Sequence, residues 1–362
     1  MKKTFLTMCG ITAMFAITLT FVGCKSKEEK IAEAIELLNQ KMYTEGIALY
    51  QEIGEVEDTM LINKMASLYA EGKGVSQDSA QALALWTKSA ELGNPYAMVE
   101  VGLAYNYARG GYKKDEKKAF EWYMKAAELG YGSALRNVAV CYRDGTGVGK
   151  DPQKAIEYYK KAISMGNVPA MYHLGCMYWK GEGILVNMDE AIKYLEMAAD
   201  RNDIDALTDL GNIFGNGEGV KKDEKKAFEY DLKAAELGHE VAQFNVGLDY
   251  HYGRGVKKDV AKAVEWYLKA ANQGGASAML NLGVMYDNGE GVEKNPKKAF
   301  EMYKMAAEKG NAIAQRNLGY CYYNGEGVGK NMTEAETWFQ KASEQGDEDA
   351  KSMMRRLLME WY

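Results

Sequence analysis

The sequence contains very little proline and histidine, and it has no excess of positive charge. There are 4 prolines and 3 histidines in 362 residues, and 45 basic residues stand against 51 acidic ones, for a net charge of -6. A chain with this balance does not favour nucleic acid, because the polyanionic nucleic-acid backbone selects basic surfaces. Scarce proline beside 38 glycines is typical of many helices separated by tight turns.

Patterns that bind metals are also missing. The 3 histidines lie in separate segments without an HExxH pattern, and no CxxC pair occurs among the 5 cysteines. We therefore expect neither a metal site nor a cofactor. Three cysteines, an odd number, remain beyond the N-terminal segment. We expect them to be buried free thiols that form no disulfide. They are Cys141, Cys176 and Cys321.

The N-terminus has the pattern of an export signal. Lys2 and Lys3 precede nineteen uncharged residues, FLTMCGITAMFAITLTFVG, which are followed by Cys24. The segment resembles a bacterial lipoprotein signal, in which the cysteine after a small residue is lipidated, although Phe21 stands where leucine is usual. The alternative is an uncleaved anchor, because such a stretch nearly spans a bilayer of about 30 Å. Both interpretations predict a protein held at a membrane of the bacterial cell envelope, lipid-anchored in the first, on its periplasmic side or outer surface.

A glycine-containing turn recurs along the chain at a nearly constant interval. The second glycine of each GxG turn is separated from the next by 37 residues once and by 36 residues six times. A fixed period of this size indicates stacked supersecondary units, numbered here as repeats 1 to 8. These glycines are Gly74, Gly111, Gly147, Gly183, Gly219, Gly255, Gly291 and Gly327.

Each repeat is predicted to contain two helices. In the first helix of repeat 6, Ala242, Val246, Gly247 and Tyr250 follow the spacing of one helical face. The mid-helix glycine costs up to about 1 kcal/mol relative to alanine, and its recurrence favours a close approach of the backbone at this position to the partner helix. The second helix of every repeat begins after an Asp or Asn, the residue types that cap helix starts. These caps are Asp78, Asp115, Asp151, Asn187, Asp223, Asp259, Asn295 and Asn331.

The combined pattern resembles the Sel-one-like repeat (SLR) family. The repeats read A-x-x-x-L-G-x-x-Y-x-x-G-x-G-V and then D-x-x-K-A-x-x-W-Y-x-x-A-A-x-x-G, with Leu61 at the alanine position of repeat 1 and one extra residue in repeat 2. The resemblance implies an all-α fold, a right-handed α/α superhelix (solenoid) of about eight two-helix repeats with a concave protein-binding face. The predicted divisions are a signal at 1–23, a tether at 24–27, a helical hairpin cap at 28–56, the repeats at 57–346 and a capping helix at 347–362.

Comparison of the repeats separates packing positions from variable ones. With the alanine of the first helix as position zero, positions +4, +5 and +8 barely change, whereas +2, +6 and +9 vary and lie on the opposite face. We call these positions the variable stripe. Its aromatic and arginine residues are typical of binding hot spots and predict a partner groove. The alternative is that superhelical curvature partly buries the rings. The candidate residues are Arg136, Arg143, Tyr172, Trp179, Phe244, His251, Arg316, Tyr320 and Tyr323.

Position +3 is an asparagine in four repeats, namely Asn137, Asn245, Asn281 and Asn317. Two interpretations fit an amide at this position. The amides either form a ladder for the backbone of a ligand or make hydrogen bonds between adjacent repeats. Regular recurrence favours the bonds between repeats.

The sequence favours a binding protein over an enzyme. We predict no catalytic residue and a membrane-tethered scaffold or adaptor that binds a protein or peptide. The alternative comes from the resemblance, because a cysteine-rich SLR subgroup is linked to β-lactam binding and hydrolysis. That subgroup carries paired cysteines within each repeat, which are absent here, and no serine has a lysine three residues later, as a serine β-lactamase would need.

Overall fold

Residues 25–360 are described in a computed structural model, and they form helices without any β-strand. The predicted signal at 1–23 and the candidate lipidation site Cys24 lie outside these residues. Helix bounds in chain order are α1 Lys27–Asn39, α2 Tyr43–Ile53, α3 Thr59–Glu71, α4 Ser79–Glu91, α5 Pro95–Tyr107, α6 Glu116–Glu128, α7 Gly132–Asp144, α8 Pro152–Ser164, α9 Val168–Lys180, α10 Met188–Ala199, α11 Ile204–Asn216, α12 Glu224–Glu236, α13 Glu240–Tyr252, α14 Val260–Asn272, α15 Ala276–Asn288, α16 Pro296–Glu308, α17 Ala312–Asn324, α18 Met332–Glu344 and α19 Glu348–Glu360.

The chain divides into two compact units after Leu129. In the first, α1 packs on α2 and on α3, and repeats 1 and 2 follow as the pairs α3–α4 and α5–α6. Leu61, Ile62 and Met65 of α3 are completely buried beside Ala34 of α1. The helical hairpin thus shares a core with the first repeat.

The second unit contains repeats 3 to 8, which are the pairs from α7–α8 to α17–α18, together with α19. Each first helix packs on the second helix of its repeat, which in turn packs on the first helix of the next. In α14, Ala263, Tyr267 and Ala270 are completely buried and Trp266 is 9% exposed, so these residues form the inward face of the second helix. The fold class, an all-α solenoid, is confirmed, while its right-handedness stays a prediction.

Side-chain caps begin the second helices as the sequence predicts. Each of the eight Asp or Asn residues accepts a hydrogen bond from a backbone N–H of the first turn. In repeat 5, for example, Asp223 Oδ1 accepts from the backbone N–H of Lys226 at 3.0 Å. These caps satisfy donors that would otherwise lack a partner at a helix start.

In four repeats, the mid-helix glycine makes room for a ring of the partner helix. A Cβ atom added at Gly247 would lie 2.5 Å from the ring of Tyr267, and one at Gly283 would lie 2.5 Å from the ring of Tyr303. The predicted close approach therefore exists, but its partner is the side chain of the second helix in the same repeat. Glycine at +5 lets this ring occupy the core.

Within residues 25–360, no helix combines the length and the apolar character needed to cross a membrane.

Candidate functional site

All nine candidate residues of the variable stripe lie in the second unit, and all nine are partly exposed. None is fully buried, and none projects entirely into solvent. The sequence allows two interpretations of the stripe, a partner groove or rings partly buried by superhelical curvature. Both interpretations describe part of the structure, because each side chain packs on a neighbour and also keeps some of its surface exposed. The first helices that supply the candidates are α7, α9, α13 and α17.

In α7 and α9, the stripe is held by polar contacts. Arg143 Nε and Nη2 donate to the two carboxylate oxygens of Asp144 at 2.7 and 2.9 Å, which raises the pKa of the guanidinium. The Tyr172 hydroxyl donates to Asp209 Oδ2 of the next repeat at 3.0 Å. Trp179 packs on the core of the unit, and the Lys180 ammonium lies 5.6 Å from its ring centroid.

In α13, two ring contacts define the stripe. The Phe244 ring lies 5.8 Å from the ring of Tyr267, measured between centroids. His251 stacks on Tyr252 at 4.7 Å, and its Nε2 lies 3.2 Å from Glu290 Oε1 of the next repeat. Both side chains are thus positioned by residues of neighbouring elements.

In α17, the stripe contacts the last two helices. Arg316 Nη1 donates to Asp347 Oδ2 at 3.1 Å and to Asp349 Oδ2 at 2.9 Å, so this arginine also ties α19 to repeat 8. Tyr320 meets the buried ring of Phe339 edge-on, with centroids 5.0 Å apart. The Lys330 ammonium lies 5.4 Å from the ring centroid of Tyr323.

Some side chains at position +3 of the first helices form hydrogen bonds to the preceding repeat. Asn317 hydrogen-bonds to Tyr303 of the preceding repeat and favours its ionised form, although burial still raises the pKa of that hydroxyl. The equivalent Tyr267 hydroxyl, beside Asn281, has no hydrogen-bond partner, and burial raises its pKa. Asp209 has the same role as Asn317 when it accepts from Tyr172. A hydrogen bond between repeats therefore forms at Asn317 and Asp209, whereas Nδ2 of the buried Asn137 has no partner.

The structure reveals an acidic cavity that the sequence interpretation missed. Asp231 in α12 stands where the other repeats carry a large apolar or aromatic residue, and Asp249 in α13 stands where they carry a smaller apolar one. The cavity beside them measures about 310 Å³ and is lined in part by Asn212, Gly215 and Leu248 of the variable stripe. The residues equivalent to Asp231 are Trp86, Tyr123, Tyr159, Leu195, Tyr267, Tyr303 and Phe339, and those equivalent to Asp249 are Leu68, Ala104, Cys141, Met177, Ile213, Met285 and Cys321.

The two carboxyl groups have strongly raised pKa values. Burial, reinforced by the charge of Asp249, raises the pKa of Asp231 to about 7. Burial also raises the pKa of Asp249 to about 6, against the opposing effect of Arg254, whose Nε lies 3.1 Å from Asp249 Oδ1. Arg254 stands at a turn position occupied by glutamate in four of the other repeats of this unit. A comparison of the scaffold positions between repeats would have found all three residues.

The three cysteines of the repeats are buried and form no disulfide in the described part of the chain, as predicted. Burial raises the pKa of the Cys176 thiol to about 11 and that of Cys321 to about 12. Among residues 25–360, no group of three or more His, Cys, Asp or Glu side chains is arranged to hold a metal ion.

A stack of two-helix repeats with an invariant core and a variable stripe defines a helical repeat protein. Eight consecutive segments match the Sel1 repeat, and the chain belongs to the Sel1 repeat family. The matched segments are 62–94, 95–131, 132–167, 168–203, 204–239, 241–275, 276–311 and 312–347.

Similar proteins come from bacteria and plants. A protective antigen of uropathogenic Escherichia coli with an SLR fold superposes with a TM-score of 0.61 at 29% identity, over 91% of this chain and 79% of that one. A Sel1 repeat protein from Oxalobacter formigenes has a TM-score of 0.62 at 25% identity, over 95% and 98% of the two chains. The ERAD-associated E3 ubiquitin-protein ligase component HRD3A of Arabidopsis thaliana is 29% identical over 134 residues, 33% of this chain and 20% of the plant protein. The chain thus spans about a fifth of the length of the curated relatives it matches.

Proposed function

We propose that this protein is a non-enzymatic adaptor of the bacterial cell envelope that binds a protein or peptide along the variable stripe. The observation that carries the proposal is the stripe itself, in which partly exposed rings and arginines of repeats 3, 4, 6 and 8 flank the recessed surface of repeat 5. Partly buried aromatic and arginine side chains dominate binding energy in protein interfaces. A relative that is by name a component of a ubiquitin ligase supports a protein as the partner.

The difference between the repeats supports the same proposal. The core positions of the unit hold similar residues from repeat to repeat, whereas the stripe changes from Tyr172 and Trp179 in repeat 4 to Asn212 and Gly215 in repeat 5. Packing alone does not account for this variety, because positions +4, +5 and +8 barely change between the same repeats. A binding surface that recognises one particular partner does require it.

Crosslinking in native envelopes, followed by mass spectrometry of the captured proteins, tests the proposal. The wild-type chain is compared with the variant Trp179→Ala/Phe244→Ala/Tyr323→Ala, which we expect to lose the partner. A matched control is Met165→Ala/Leu185→Ala/Leu237→Ala, which removes apolar side chains that are 60%, 91% and 42% exposed away from the stripe. Equal capture by both variants would place binding elsewhere on the molecule.

A second variant separates loss of binding from loss of folding. Asn212→Arg adds bulk at an exposed position beside the cavity, and it removes no core contact. We expect it to reduce capture while the thermal unfolding transition stays in place. Turnover of nitrocefin by the wild-type chain would instead favour the alternative of a β-lactam hydrolase.

The membrane anchor belongs to the proposal as well. We propose that Cys24 is lipidated, becomes the N-terminus of the mature chain and holds the protein on the periplasmic side or the outer surface of the envelope. The support is the sequence pattern at Gly23 and Cys24. Metabolic labelling with a palmitate analogue should mark the wild-type chain, whereas Cys24→Ala should stay unlabelled and uncleaved. Labelling of that variant would contradict the proposal.

A further inference from the structure

One corner of the variable stripe, formed by repeats 3 and 4, contains polar groups without partners. Tyr159 is completely buried, and its hydroxyl has no hydrogen-bond partner. The Nε of Arg136 is buried without a partner too, although the arginine as a whole is partly exposed. Buried polar groups are nearly always paired in proteins, so two such donors at one place require an explanation.

The Tyr159 hydroxyl faces a histidine at position +3 of the next repeat, where the equivalent tyrosines face an asparagine, and the Tyr267 hydroxyl beside Asn281 also has no partner. In repeat 7, the equivalent Tyr303 is hydrogen-bonded by Asn317 from position +3 of the next repeat. Tyr159 faces His173 at that position instead, with a tilted ring and 6.2 Å between the ring centroids. The imidazole packs beside the phenol and does not replace the amide.

The charges around this corner leave one cation unpaired. Arg143 forms an ion pair with Asp144, and its Nε also lies 3.7 Å from Glu182 Oε2. Arg136 forms no ion pair within the described residues. Burial, with Arg143 and Arg136 as further causes, lowers the pKa of His173 to about 4. His173 is therefore neutral at pH 7, and Arg136 is the cation that remains available.

We propose that Arg136, Tyr159 and His173 form a subsite, the Arg136 corner, that binds a carboxylate of the protein or peptide in the groove. The inference rests on the proposed function, since Arg136 lies on the stripe and the carboxylate belongs to its occupant. A carboxylate accepts several hydrogen bonds, and a guanidinium presents donors in the matching geometry. An acidic side chain and a C-terminal carboxylate share this chemistry.

Peptides that bind the full chain are first identified on an array of random 12-residue peptides. Each peptide is printed with a free C-terminal carboxylate and also as a C-terminal amide. Affinities of the selected peptides are then measured by fluorescence anisotropy. We expect each selected peptide to lose at least tenfold in affinity when one carboxylate is neutralised, by Asp→Asn, Glu→Gln or amidation. The first two changes reveal a side chain as the source, and the last reveals the C-terminus.

Variants of the protein then locate the contact. Arg136→Gln should weaken binding tenfold or more, and Arg136→Lys less. Tyr159→Phe should also weaken it, because it removes the buried hydroxyl that has no partner within the chain. The matched control is Arg201→Gln, an exposed arginine in the loop before α11, which should leave affinity unchanged. Circular dichroism confirms that each variant is folded.

The outcomes separate this inference from the proposed function. In one outcome, the selected peptides require Trp179 and Phe244 yet bind equally well to Arg136→Gln. In another, they bind equally well once their carboxylates are neutralised. Either result would overturn the proposal of the Arg136 corner and would leave the proposed groove standing. If no peptide binds the wild-type chain better than the Trp179→Ala/Phe244→Ala/Tyr323→Ala variant, both proposals fail.

Discussion

The Tyr172 hydroxyl donates a hydrogen bond of 3.0 Å to Asp209 and thereby connects the first helices of repeats 4 and 5. Burial raises the pKa of this carboxyl, and the bond from Tyr172 partly counteracts that effect. A single atom of the variable stripe thus stabilises a carboxylate in the neighbouring repeat.

Removal of this hydroxyl should destabilise the chain without changing the shape of the stripe. Tyr172→Phe keeps the ring but leaves Asp209 without its donor, and a hydrogen bond to a charged group contributes about 1.5–3 kcal/mol. We expect a loss of that size in the free energy of unfolding, measured by urea denaturation. A double-mutant cycle with Asp209→Ala provides the control, and equal effects of Tyr172→Phe in both backgrounds would contradict the coupling.

Asp231 should make stability depend on pH. Its pKa is about 7 in the folded chain and about 4 when unfolded, so the folded state binds more protons between these values. The free energy of unfolding should therefore fall as the pH rises from 4 to 7, by up to about 1.4 kcal/mol per pH unit. The measurement is a series of urea titrations across this range.

Two variants at Asp231 isolate its contribution. Asp231→Asn removes the titrating group at nearly constant volume, and Asp231→Tyr restores the residue type of repeats 6 and 7. Both should give a flatter profile than the wild-type chain, with some slope remaining from Asp249, whose pKa is about 6. Profiles that run parallel to the wild-type profile would show that Asp231 does not titrate in this way.

A methyl group at Gly247 should disturb the core of repeat 6. The added Cβ would lie 2.5 Å from the ring of Tyr267, which is completely buried. Overpacking of this kind costs about 1–3 kcal/mol, more than the gain of about 1 kcal/mol from helix propensity. Gly247→Ala should lower the melting temperature.

Repeat 3 provides the matched control for this substitution, because it already has Ala139 at the equivalent position. Ala139→Gly should also destabilise, by about 1 kcal/mol, since glycine is the weaker helix former. A stabilised Gly247→Ala variant would show that the ring moves aside without cost.

The buried thiols should resist modification in the folded chain. The pKa values of Cys176 and Cys321 are about 11 and 12 because both groups are buried, and only the thiolate reacts with alkylating reagents. Iodoacetamide at pH 8 should leave Cys141, Cys176 and Cys321 unmodified, and should alkylate all three in 8 M guanidinium chloride. Peptide mass spectrometry distinguishes these sites, and rapid alkylation of the native chain would contradict their burial.

Several features of this protein follow from local sequence. Three features act through the backbone within a few residues. They are the period of the glycine turns, the Asp or Asn before each second helix, and the glycine after every first helix except that of repeat 2, which Ala108 follows. Their effects therefore repeat wherever the pattern repeats, and Asp223 caps α12 just as Asp259 caps α14. Such features determined the helices, the repeat and the face of each helix that packs.

Contacts between repeats were decided by the tertiary structure. Asp231 and Asp249 are 18 positions apart and share one cavity because α12 packs on α13, and their raised pKa values arise only from the burial that this packing creates. In the same way, Tyr172 finds its hydrogen-bond acceptor, Asp209, in the next repeat. Side-chain pairing depends on what the next repeat presents across the interface, and the pattern within a single repeat contains no information about that.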